Sequence, residues 1–151
     1  MAQYKANGLS NQSAHMQAFG NAVIEHDKTT PPVALALNDT VDLLRVAGGT
    51  KLIELWKTNG DFDTGATLQY SLGYRKANSD GVLAASVNYF GAALTDLQAA
   101  VTGAAPTRYA FAPITFDEDV FITATITAAA TGVSGTPSID MVAHGIARGI
   151  K

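Results

Sequence analysis

Three apolar runs separated by two glycine-bearing turns fill the stretch from Asp39 to Tyr74, DTVDLLRVAGGTKLIELWKTNGDFDTGATLQYSLGY. Thr40 to Val46 and Thr50 to Lys57 read as strands, and the Ala47-Gly48-Gly49 step between them is a hairpin signal because glycine tolerates positive φ. The second turn, Asn59 to Gly65, is polar and leads into a third strand over Thr67 to Tyr74. There Leu68, Tyr70, Leu72 and Tyr74 fall on one face and Gln69, Ser71 and Gly73 on the other. Such alternation predicts one buried and one wet face, as in an antiparallel sandwich or barrel.

Before this stretch, Met1 to Ser13 is polar and reads as an extended arm that a partner would order. His15 to Ile24 carries Met16, Phe19 and Val23 at roughly helical spacing, but Gly20 interrupts it, so a short helix and a strand both fit. Thr29-Thr30-Pro31-Pro32 stops any regular element, because proline lacks a donor and restricts the residue before it. Val33 to Leu37 then reads as a strand. The Pro-Pro step divides the chain into an arm, 1–30, and a single domain, 31–151.

After the central strands and the polar loop Arg75 to Gly81, the period changes. Phe90, Leu94, Leu97 and Val101 recur at spacings of four, three and four, which predicts a helix from about Val87 to Ala100, ended by Gly103 and Pro106. From Arg108 the pattern returns to β: Tyr109 to Thr115, with Pro113 favouring an edge or a bend, then Val120 to Thr127, the most β-branched run of the chain. Gly132 to Pro137 reads as a turn and Ile139 to Ile146 as the last strand. The sum is a mainly β jelly-roll or β-sandwich of about seven or eight antiparallel strands, with one short helical insert and an N-terminal arm.

Composition narrows the functions. There is no cysteine, which excludes disulfides, thiol catalysis and thiolate metal sites. Only 15% of residues are charged while 47% are hydrophobic, against about a quarter charged in ordinary soluble domains, so the surface suits packing against other protein. A net charge of −3 without any Lys/Arg cluster argues against a nucleic-acid partner. No apolar run reaches the ~18 residues of a membrane span, and no secretory signal opens the chain.

The succession RVAGGTKLIELWKTNGDFDTGATLQYSLGY, then a loop and an alanine-rich segment, then FDEDVFITATITAAATG and a short closing strand, resembles the small jelly-roll head-decoration, or cement, proteins of tailed bacteriophages. The similarity spans most of the chain after Pro32 and rests on turn-and-strand patterns. It implies a virion structural protein, made in the host cytoplasm, that binds the major capsid protein on the capsid exterior and keeps the expanded shell from rupturing. Dimers and trimers both occur among such proteins, and a homo-oligomer is expected here, a dimer ahead of a trimer.

Binding of this kind rests on a few desolvated aromatic anchors. Tyr4, Phe19, Trp56, Phe62 and Tyr89 are the candidates. Trp56 fits core or interface, since strand alternation puts it with Leu52 and Glu54 on one face and Ile53 and Leu55 on the other. Phe62, between Asp61 and Asp63 in a turn, reads as an exposed contact, and Tyr4 in a polar arm needs something else to bury it.

No constellation for catalysis passes the spacing test, and neither an enzyme nor a cofactor is expected. His15, His26 and His144 are scattered, so structural or solvent-exposed roles are expected of them. Asn59, Asp61 and Asp63 have the alternate oxygens of a calcium loop but lack its closing glutamate; capping of the turn by aspartate is the alternative. Asp117-Glu118-Asp119 offers carboxylates for glycoside hydrolysis, yet neighbours on a strand point to opposite faces. The rival readings are a carbohydrate-binding, lectin-like sandwich, which one Trp, five Tyr and six Phe spread along the chain do little to support, and a tail or neck component of the same particle.

Overall fold

The computed structural model describes residues 3–5, 22–31, 34–101, 103–133 and 135–148. Among the described residues ten strands follow one another: β1 (Gln3–Lys5), β2 (Ala22–Thr29), β3 (Thr40–Val46), β4 (Thr50–Asn59), β5 (Gln69–Lys76), β6 (Ser86–Leu94), β7 (Thr107–Arg108), β8 (Ile114–Phe116), β9 (Val120–Ala128) and β10 (Ile139–Ala147). They form two sheets. The first has the order β1-β3-β9-β5-β6, and the second has the order β2-β10-β4-β7, with β8 also paired to β4. All pairings are antiparallel except β1 on β3, which is parallel. This is the jelly-roll-like sandwich expected from the alternation, with three short strands raising the count.

The inward positions of both sheets make one core. Ile122 and Ile126 of β9 and Leu72 of β5 face Leu52 and Leu55 of β4 and Met141 of β10 across the sandwich, and all six are buried. Each contributes about 1.5–3 kcal/mol by leaving water. The Gly48-Gly49 hairpin joins β3 to β4 as its sequence requires, with Gly49 at φ 80° and its N–H bonded to the Phe116 carbonyl at 2.7 Å.

Several expectations are corrected. Among the described residues there is no helix, and most of the predicted one is the strand β6. Its pairing with β5 slips twice, matching Tyr70 with Leu94, Leu72 with Gly91 and Tyr74 with Ser86. Extra residues at these bulges stretch the two-residue period of a strand toward helical spacing. The Thr95 to Ala100 remainder is an irregular turn that buries Leu97. Of the expected wet face of β5, Gln69 is exposed but Ser71 and Gly73 are closed off. A Cβ on Gly73 would stand 1.9 Å from the Ser86 carbonyl oxygen, and Ser71 is buried.

Tyr109 to Thr115 is not one strand. β7 and β8 flank an irregular crossing that contains Pro113, the bend its proline favours. Residues 34–36 are not strand and Leu37-Asn38 is a turn, with Asn38 at φ 67°, although Leu35 is buried; Val33 lies outside the described residues. The boundary at residue 30 also moves. β2 pairs along its whole length with β10, from Ala22↔Ile146 to Thr29↔Ile139, so the sandwich includes Ala22 to Thr29. Even β1, within the expected arm, is a strand of the first sheet. The helix-or-strand alternative for His15 to Ile24 is settled as strand from Ala22 onward, and the rest of it lies outside the described residues.

Candidate functional site

A single extra residue in β4 shapes the outer face of the second sheet. β10 pairs with β4 through His144↔Glu54 and then Gly145↔Leu52, which leaves Ile53 as a bulge. Gly145 is needed at this point, because a Cβ there would lie 2.8 Å from the Lys51 carbonyl oxygen. The bulge reverses the inside-outside phase of β4. Leu52 and Leu55 point inward, Ile53 and Glu54 outward, and from there Trp56 faces out while Lys57 and Asn59 face in.

Trp56 therefore stands on the outer face, held from both neighbouring strands. The His144 ring of β10 lies 4.7 Å away, and the Arg108 guanidinium of β7 lies 5.0 Å from the Trp56 ring centroid. The indole N–H donates to Glu54 Oε2 at 3.3 Å. A recess of about 340 Å³ opens beside it, between Ile53, Glu54 and Trp56 on β4 and Arg108, Ala110 and Phe111 where the chain leaves β7. A second recess of about 250 Å³ lies on the other side of the tryptophan, against His26, Asp140 and Val142. Around these sit the exposed aliphatics Ile24 (65%), Ile53 (39%) and Ile146 (37%).

Under this face lies a buried polar cluster that the sequence reading passed over. Lys57 Nζ, with no exposed side-chain surface, is 3.0 Å from Asp96 Oδ2 and donates to Asn59 Oδ1 at 2.7 Å. Asp96 also accepts from the hydroxyls of Tyr70 (2.6 Å) and Tyr109 (3.2 Å), whose own oxygens are 2.7 Å apart. Asn59 Nδ2 donates to the carbonyls of Gly60, Asp96 and Ala99. Burial pushes the lysine down to about 8 against the opposing pull of Asp96. Burial would raise Asp96, but the Lys57 charge and the donated hydrogen bonds hold it below its ordinary value. Burial pushes both tyrosines up, helped by the Asp96 charge. The cluster ties the β6–β7 connection to β4 and β5, and its ammonium is sealed from any ligand.

The candidate anchors do not converge. Trp56 belongs to the outer face just described. Phe62 is not an exposed contact: it is 1% exposed and part of the core, because its turn is folded back by Asp63. Tyr89 is half-buried among Tyr74, Phe90 and Phe111, with its hydroxyl donating to the Ala112 carbonyl. Tyr4 lies in β1, and its side chain, like the whole of Phe19 and His15, lies outside the described residues.

The other chemical candidates resolve into structural roles. Asp63 accepts from the backbone N–H groups of Gly65, Thr67, Leu68 and Thr131 and from the hydroxyls of Thr67 and Thr131. Burial would raise its carboxyl, but those N–H donors hold it well below the usual range. With its lone pairs so used, Asp63 caps two loops, and Asp61 in turn accepts from the Asp63 N–H at 3.0 Å. Among the described residues no group of three His, Asp or Glu side chains converges as metal ligands. Asp119 pairs with Arg45 and accepts from the Gly48 N–H, while Glu118 accepts from the N–H groups of Val82 and Leu83. His26 and His144 do share the outer face. Each lies near a carboxylate, His26 at 3.6 Å from Asp140 and His144 at 3.4 Å from Glu54.

No protein-family model matches the chain, and no curated protein matches it. Solved structures do. A chain in the capsid of Ralstonia phage GP4 superposes with a TM-score of 0.76 at 15% identity, over 99% of this chain and 100% of that one. A chain of the cyanophage Pam1 capsid asymmetric unit gives 0.63 at 14% identity, over 90% of this chain and 93% of that one. A chain of the acid-stable capsid of Helicobacter pylori bacteriophage KHP30 gives 0.52 at 17% identity, over 83% and 87%. The sandwich of this chain is thus a fold found in three phage capsids.

Proposed function

We propose that this protein is a virion structural component that binds the outside of a phage capsid and stabilises the expanded shell, as a decoration or cement protein. The observation that carries the proposal is the end-to-end likeness to a whole chain of the Ralstonia phage GP4 capsid. The low charge, and the exposed Ile24, Ile53 and Ile146 around Trp56 on the outer face of the second sheet, are in keeping with it. In this reading the protein works by binding and not by catalysis. Each copy would bury roughly 800 Å² against its partner, the major capsid protein, with a few aromatic and arginine anchors carrying most of the energy. The protein would act as a homo-oligomer, so that one particle bridges several shell subunits.

The exposed position of Trp56 is what a glycan-binding reading would use. Both neighbouring strands already crowd that ring with His144 and Arg108, which leaves little open aromatic face for a sugar.

Cosedimentation with expanded phage heads lacking the protein tests the proposal. Saturable binding at a simple fraction of the capsid copy number, together with a higher rupture temperature, is expected. No binding to heads, with a hit on a glycan array or recovery of the protein only in tail fractions, would overturn it.

A further inference from the structure

The two outer faces of the sandwich differ in how their charges and apolar groups are used. On the first sheet the outward positions are mostly threonine or paired ions. Asp42 is buried against Arg75, whose Nε and Nη2 donate to its two oxygens at 3.0 and 2.6 Å, and Gln3 Nε2 donates to the same carboxylate. The Arg75 guanidinium lies 4.6 Å from the ring of Phe121, covering the large aromatic of that face. Thr123, Thr125 and Thr127 continue the outward row of β9. Among the described residues of this sheet's strands, Val87 of β6 is the one large hydrophobic side chain left exposed.

The second sheet pairs ions of its own, His26 and Lys28 with Asp140 and His144 with Glu54, but it also leaves large apolar side chains open. Ile24, Ile53 and Ile146 are exposed on three adjacent strands, and Trp56 stands between two recesses. Arg108 stacks on Trp56 and, among the described residues, makes no ion pair with any carboxylate. The acids of the face are engaged, Glu54 by the Trp56 indole N–H and beside His144, Asp140 near His26 and Lys28. Beside these aliphatics, the stacked Trp56 and Arg108 are of the residue types that dominate interface energy. The guanidinium of Arg108 lines the 340 Å³ recess, and the group that complements such a fork is a carboxylate.

We infer that the outer face of the second sheet, centred on Trp56 and Arg108, is the surface that docks on the shell, and that its partner there is an apolar protein segment bearing a carboxylate for Arg108. This inference rests on the decoration reading above and adds the orientation: the second sheet faces the capsid, the first faces solvent. A second copy of this chain fits less well, because its own Glu54 is already engaged.

The test compares Ile24→Glu and Arg108→Glu with a first-sheet control, Thr127→Glu, each purified, shown by melting to fold as wild type does, and titrated onto expanded heads lacking the protein. The expected result is binding about tenfold or more weaker for both second-sheet variants and unchanged for the control. Second-sheet variants that bind like wild type, or a control that loses as much, would overturn the orientation while leaving the decoration function standing. Sedimentation of the free proteins separates the remaining case: if either second-sheet variant dissociates an oligomer that wild type forms, the face joins copies of this chain and the inference fails. Wild-type protein that does not bind heads would overturn both readings together.

Discussion

Lys57 and Asp96 meet 3.0 Å apart under the second sheet, the lysine wholly buried and the aspartate at the mouth of the β6–β7 connection. Breaking such a pair from one side leaves an uncompensated charge. Asp96→Leu should therefore lower stability by about 3–5 kcal/mol. The double variant Lys57→Met, Asp96→Leu should lose clearly less than the sum of the single changes, because the two residues share one network. Urea unfolding of the four proteins closes the cycle, and additive losses would contradict the coupling.

The same lysine predicts an alkaline dependence. Burial lowers it in the fold from 10.5 to about 8, so between those values the unfolded chain holds a proton that the folded chain has released. Stability from this group must then rise with pH across that window, by an amount on the order of 3 kcal/mol. Tyr70 and Tyr109 act oppositely. Their hydroxyls stay protonated in the fold but ionise in the unfolded chain above about pH 10, so their contribution falls from there upward. The difference in unfolding free energy between wild type and Lys57→Met, followed from pH 7 to 10, should grow in favour of wild type; a flat difference would show that the lysine is not desolvated.

Asp63 should be hard to replace even by its amide. Asp63→Asn puts an NH₂ where N–H donors converge, and each buried donor left unmet costs about 1–3 kcal/mol. A loss of at least about 3 kcal/mol is expected, with faster amide exchange at Leu68 and Thr131. Because the Asp63 carboxyl lies below its usual value in the fold, its contribution is full above about pH 4 and disappears as acid protonates it.

Truncation should separate the two N-terminal strands. Removing residues 1–5 deletes three residue pairings at the edge of the first sheet, and the protein should still fold. Removing residues 1–29 takes away β2, with the buried Val23 and eight residue pairs to β10, and should abolish cooperative unfolding by circular dichroism. A stable, cooperatively melting 30–151 fragment would show that the sandwich begins at the Pro-Pro step after all.

Ile122 and Ile126 are buried on the inner face of β9, as their β-branched run predicts. Ile122→Asp or Ile126→Asp should cost more than about 4 kcal/mol through an unpaired buried charge. A variant that melts like wild type would contradict the central position of this strand.

What the sequence makes legible is set by how regular each strand is. β3, β4, β9 and β10 were readable because period-two alternation and Gly-Gly chemistry act locally. The bulges were not. The extra residue Ile53 reversed the phase after Leu52, so Trp56 was grouped with the inward Leu52, and the inward Lys57 was missed because a charged residue inside a strand reads as outward. β6 failed for the same reason, its slipped pairing mimicking a helical period. Phe62 was misplaced because a polar turn hides how far one buried carboxylate can pull it inward. The signal in the sequence that points to Lys57 is its i, i+2 spacing from Asn59, which puts two polar residues on one strand face.

β9 lies between β3 and β5 at the middle of the first sheet, although it is the ninth strand to be made. During synthesis β3 has no β9 to pair with until residues 120–128 have left the ribosome, so the native sandwich cannot close on a nascent chain shorter than that. Folding is therefore governed by contacts far apart in sequence, a class that folds in milliseconds to seconds. Each copy spends that interval with Ile122, Ile126 and their partners open to other chains, and the yield of folded protein will depend on how crowded that interval is.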